Sequence, residues 1–150
     1  MTDPIILTRR IAASPSVVYA YLTVSEKWVR WQGVNATIQP TPGGIFALAM
    51  ANGTTARGEF VELIPDHRVV FTWGWIDHPG VPPGSSTVEI DLVSEGEGTL
   101  LTLTHRGLPP DEIAIHNAGW NRYMSRLAIT AEGGEPGPDV LPEQARDLTS

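Results

Sequence analysis

Between Val34 and Arg106 apolar and polar positions alternate with period two, the signature of strands that bury one face. "VNATIQ" reads as a strand and "PTPGG" as a turn, and "IFALAMANGTTARGEFVELI" reads as two strands around Asn52-Gly53, a strong hairpin signal. "IPDHRVVFTWGWI" repeats the layout around Pro65-Asp66. It sets Val69, Phe71, Trp73 and Trp75 on one face, with Val70, Thr72 and Gly74 on the other. After the proline-rich loop "DHPGVPPGSS", the segment "TVEIDLVSEGEGTLLTLTHRG" makes two more strands. Val88, Ile90 and Leu92 share one face, as do Leu101, Leu103 and His105. The opposite faces carry Glu89 and Asp91, or Thr102 and Thr104, the pattern of an antiparallel sheet with one wet side.

The flanks of this region break the alternation. Ile5 to Ala13 reads as a first strand, and "SPSVVYAYLT" opens a short helix with Ser14 as N-cap and Pro15 at the first helical position. "VSEKWVRWQG" repeats the device with Ser25 as cap, Trp28 and Trp31 on one face and Gly33 as the stop. After the strands, "LPPDEIAIHNAGWNRYMSRLAITAEGG" is a long helix, started by Pro110, Asp111 and Glu112 and ended by Gly133-Gly134. Its apolar stripe runs through Ile113, His116, Trp120, Tyr123 or Met124, and Leu127. Arg122 and Arg126 fall beside the stripe and read as solvated. The order is strand, two short helices, six strands, one long helix. This is an α+β arrangement in which a single sheet needs a cover, and only the last helix has a stripe long enough to supply it. Residues 1–134 are expected to form that domain, and 135–150, rich in proline and polar residues, to be an arm outside its core.

Composition narrows the chemistry. At 150 residues, 41% hydrophobic and 18% charged, the chain has the content of one globular domain, with no apolar run long enough to span a bilayer. Zero cysteines remove disulfides, thiolate nucleophiles and cysteine-type metal sites. A net charge of -7, with Lys27 the only lysine, disfavours nucleic-acid partners. The charge order of the first residues is wrong for a secretory signal, so a cytoplasmic location is expected.

The candidate chemistry lies on the two apolar faces. Trp73, Trp75 and Trp120, with Phe46, Met50 and Phe71, either fill a core or wall a cavity; in the second case His105, His116 and Tyr123 are the polar groups converging on a ligand. His67 and His78 fall in turns away from the helix, which leaves His105 and His116 short of a metal-ligand set, so no metal and no cofactor is expected. Trp28 and Trp31 on a short helix either plug one end of the fold or meet a partner.

The pieces "SPSVVYAYLT", "EKWVRW", "VVFTWGW", "LTHRGLP" and "HNAGWNRYMSRL", in this order, resemble the START-like, or Bet v 1-like, superfamily. Within it the chain looks like the branch homologous to the C-terminal domain of the activator of heat-shock protein 90 ATPase. The resemblance implies a helix-grip fold, a curved seven-stranded antiparallel sheet wrapped around a long C-terminal helix, with two short helices after strand one. It also implies a ligand cavity between sheet and helix. Co-chaperones of this branch carry a further N-terminal domain that contributes to chaperone binding, and no such domain fits in these 150 residues. Three functions follow. The leading one is a non-enzymatic binder of a small apolar or aromatic molecule. The others are a cyclase- or hydrolase-like enzyme with histidine acid/base, and a partner-binding protein, either a chaperone regulator or a homodimer through an exposed sheet edge.

Overall fold

Seven strands, β1 (Ile5–Ile11), β2 (Asn35–Ile38), β3 (Ile45–Ala49), β4 (Thr55–Ile64), β5 (Arg68–Trp73), β6 (Ser86–Glu95) and β7 (Gly98–Arg106), form one open antiparallel sheet in the order β1-β7-β6-β5-β4-β3-β2. Two short helices, α1 (Pro15–Tyr21) and α2 (Ser25–Trp28), follow β1, and the long α3 (Pro110–Ala131) follows β7. The architecture is the α+β helix grip that the resemblance implies. The computed structural model describes residues 3–139. Among them no helix is long and apolar enough to cross a membrane.

The period-two pattern holds through the sheet. Val69, Phe71, Val88, Ile90, Leu101 and Leu103 are fully buried on the inner face. On the outer face Arg68 joins Glu62, Asp91 and Glu89 at 2.6, 2.7 and 3.1 Å, and Arg106 reaches Glu89 at 2.8 Å. These carboxylates are ion-paired rather than merely solvated. A register shift between Phe60 and Glu62 interrupts the β4–β5 ladder, a device that bends a strand.

Local chemistry accounts for the helices. Ser14 Oγ accepts from the Val17 amide at 3.4 Å and Pro15 occupies the first turn of α1. Asp111 and Glu112 sit in the first turn of the 22-residue α3, where the helix dipole favours carboxylates. Gly133, at φ 95°, ends it and lets the Gly134 amide bond back to the Ile129 carbonyl at 2.8 Å. The expected cap at Ser25 is not one. Ser25 is the first residue of α2, and its hydroxyl accepts from the Ile38 amide at 3.1 Å, tying the helix to β2 instead.

Trp28 and Trp31 are both fully buried, so they plug one end of the grip. Their ring centroids are 4.9 Å apart, and each indole N–H is satisfied, Trp28 on Gln32 Oε1 at 3.0 Å and Trp31 on the Tyr21 carbonyl at 3.1 Å. Phe46 and Phe71 stack behind them at 4.3 Å. Burying each phenylalanine contributes about 1.5–3 kcal/mol.

Arg126 departs from the expectation of a solvated side chain, being only 6% exposed. It donates to the Trp31 carbonyl at 2.8 Å, Pro136 at 3.2 Å and Gly137 at 2.8 Å. The cause is the path of the chain: residues after α3 turn back over the α2 end and present carbonyls that need donors. Asp139 then accepts from the Gly33 amide at 2.7 Å and from Arg122 at 3.3 Å. The expected arm beyond it, residues 140–150, lies outside the described residues.

Candidate functional site

Along α3, Glu112, His116, Gly119, Trp120 and Tyr123 follow one another at helical spacing on one face, and that face looks across at the ends of β4 and β5. Between them lies a cavity of about 580 Å³, within the range of small-molecule sites. Trp73, Trp75 and Trp120 wall it, and Gln32, Met50 and Tyr123 complete its buried part. The mouth is made by the hairpin tip Asn52–Thr54, by Ile76, Asp77 and His78 of the β5–β6 loop, and by Glu112 and Ile115 of α3.

The β5–β6 loop reaches the mouth because its backbone folds onto the strand. Trp75 N donates to the Val81 carbonyl at 2.7 Å, and Val81 is fully buried. Gly74 is required there: a Cβ at that position would collide with the Pro82 carbonyl oxygen. This loop corrects one sequence expectation. His78 does not point away from the helix; its Nε2 lies 3.3 Å from Glu112 Oε2.

Two histidines and two tryptophans form a pair of matched hydrogen bonds. Trp120 Nε1 donates to His105 Nδ1 at 2.9 Å, and Trp75 Nε1 donates to His116 Nε2 at 3.1 Å. An indole N–H can only donate, so it fixes the tautomer of each imidazole. His105 therefore carries its proton on Nε2 and gives it to Ser86 Oγ at 2.9 Å, while Ser86 donates onward to the Trp73 carbonyl at 2.9 Å. His116 carries its proton on Nδ1 and gives it to the Glu112 carbonyl at 2.9 Å. Both rings are neutral and fully engaged. Burial drives the His105 pKa down to about 3, and His116, 5.5 Å away ring to ring, adds to the effect. Burial also lowers His116, opposed by its bond to Glu112. The Tyr123 phenol is pushed up, first by burial and then by Asp139.

The indole N–H of Trp73 is buried with no hydrogen-bond partner, in a residue 2% exposed. Leaving such a donor unpaired costs about 1–3 kcal/mol, a cost the surrounding core carries. Gln32 offers the cavity a donor, since its Oε1 is held by Trp28 and its amide NH₂ is what remains.

Of the residues expected at a site, Met50, Trp73, Trp75, His116, Trp120 and Tyr123 come together around the cavity. Phe46 and Phe71 share the inner face but stand in the closed aromatic stack, and His105 sits behind Trp120 as its acceptor. Sequence reasoning missed Gln32, Asp77, His78, Glu112 and Gly119. Glu112 and Gly119 were accessible through their helical spacing from His116, whereas Gln32 and His78 reach the cavity only through the paths of loops.

A family model described as Activator of Hsp90 ATPase homolog 1-like protein matches residues 12–132. An AHSA1-like protein from Rhizobium etli is 44% identical over 93% of this chain and 89% of its own, with a TM-score of 0.69. DynU16, described as a putative protein in the dynemicin biosynthetic locus, is 26% identical over 91% of this chain at a TM-score of 0.78, and this chain spans only 49% of its length. The Aha1 dimer from Colwellia psychrerythraea, 20% identical over 91% of this chain and 100% of its own, shares the fold at a TM-score of 0.79. No curated protein matches the chain.

Proposed function

Since this chain belongs to the family of Activator of Hsp90 ATPase homolog 1-like proteins, we propose that its helix-grip cavity binds a small, largely apolar or aromatic molecule. One observation carries the reading: a cavity of about 580 Å³ between α3 and the sheet, walled by Trp73, Trp75 and Trp120. Aromatic walls with a few placed donors are the usual form of a small-molecule site. Binding is favoured over catalysis by histidine, because a general base needs a free ring lone pair. The lone pairs of His105 and His116 are taken by Trp120 and Trp75. It is favoured over a partner surface built on Trp28 and Trp31, because neither indole reaches solvent.

The test is native mass spectrometry of the protein from its source, together with titration of tryptophan fluorescence by a panel of aromatic compounds. A co-purifying mass, or a saturable quench lost in Trp75→Ala, supports the reading. An empty protein that responds to no member of the panel overturns it.

A further inference from the structure

Two features of the cavity go beyond the general reading of a binder and bear on what kind of molecule it takes. The first is Gly119. Glycine is among the least favourable residues in a helix interior, and its use there calls for a cause. Packing supplies none: a Cβ at Gly119 would meet nothing within 4 Å. Backbone conformation supplies none either, because Gly119 is not among the positive-φ residues. What the missing side chain does is leave the α3 backbone bare where it lines the cavity, between His116 and Trp120. Glycine at such a point lets a ligand approach the backbone closely.

The second feature is charge. The mouth carries two carboxylates, Asp77 and Glu112, and neither lysine nor arginine lines the cavity among the described residues. Two histidines face Glu112. His78 Nδ1 accepts from the Gly80 amide at 3.2 Å, which leaves its Nε2–H facing Glu112. His116 is the neutral ring fixed by Trp75, with Nδ1 3.5 Å from Glu112 Oε1. Glu112, with its side chain only 13% exposed, thus sets a carboxylate beside aromatic walls with imidazole N–H groups as its company. Such a site repels carboxylates and phosphates and attracts a cation, which the indole faces also favour.

Resting on the binder reading, we propose that the cavity takes a flat aromatic molecule bearing a protonated amine. Its ring lies over the bare α3 backbone at Gly119, among Trp73, Trp75 and Trp120. Its ammonium sits at the mouth against Glu112.

Two fluorescent tricyclic probes of similar ring size and opposite charge test this at neutral pH: 9-aminoacridine, a cation, and anthracene-9-carboxylate, an anion. The cation is expected to bind at least tenfold more tightly, a factor of ten being 1.4 kcal/mol. Glu112→Gln should abolish most of that preference. Glu97→Gln, which removes the same charge from the exposed β6–β7 turn, should leave it intact. Gly119→Ala should raise the melting temperature by roughly 2–4 °C, as a better helix former, and weaken 9-aminoacridine at least tenfold. Equal affinity for the two probes overturns the charge assignment while the binder reading stands, and so does an equal effect of Glu97→Gln and Glu112→Gln. Undiminished binding by Gly119→Ala overturns the seat on α3. Failure of both probes to bind removes the proposal and counts against the binder reading itself.

Discussion

Replacing His105 with glutamine tests the neutral, fully engaged histidine directly. The glutamine amide can still offer an acceptor to Trp120 Nε1 and a donor to Ser86 Oγ, the two contacts the imidazole makes at 2.9 Å each. At pH 8 the substitution should therefore cost only about 1 kcal/mol, from imperfect packing. The difference appears on acidification. In the folded protein His105 stays neutral down to about pH 3, whereas in the unfolded chain it titrates at its ordinary 6.5. Below pH 6.5 the unfolded state binds a proton that the folded state refuses, so stability falls as pH falls. At pH 5 an imidazole at 6.5 is about 97% protonated, which costs the folded state about 1.5 log units, or ~2 kcal/mol. This figure barely depends on the folded value, because any folded pKa well below 5 leaves the same unfolded proton to be lost. Urea unfolding followed by tryptophan fluorescence at pH 8 and pH 5 measures it. His105→Gln should lose about 2 kcal/mol less than the parent between the two pH values, with His116 and the carboxylates titrating alike in both. If the variant loses as much stability as the parent, the imidazole is protonated in the fold and the tautomer argument from Trp120 is wrong.

Other substitutions probe the supports of the site. Arg126→Leu removes the donor to the Trp31, Pro136 and Gly137 carbonyls and should cost about 3 kcal/mol; thermal melts measure the loss, and faster proteolytic cleavage within residues 134–139 shows the strap released. Phe71→Ala opens the stack with Phe46 and should cost about 3–5 kcal/mol in chemical denaturation, the usual loss for a buried phenylalanine. Trp75→Phe leaves His116 Nε2 without its donor. Its histidine pKa, followed by NMR of the ring protons, should rise relative to the parent, since a freed lone pair can take a proton.

Much of the fold was written locally. Alternation from Val34 to Arg106 specifies strands because a side-chain period of two puts every second residue in the core, and Ser14, Pro15 and the Gly133-Gly134 pair act on the backbone beside them. The stripe of α3 likewise identified His116, Trp120 and Tyr123 as inward residues, as their burial bears out. Tertiary structure alone decided which inward residues meet a cavity and which meet each other. Phe71 and Trp73 share one strand face, yet one is sealed in the aromatic stack and the other stands on the cavity wall, a difference set by where the strand lies beneath α3. The partners of His105, the burial of Arg126 and the approach of His78 to Glu112 depend on contacts 10 to 95 residues apart in the chain. Hydrophobic periodicity tells each residue which side to face. It carries no information on the strand register and loop paths that bring two such faces into contact, and these are settled only when the whole core packs.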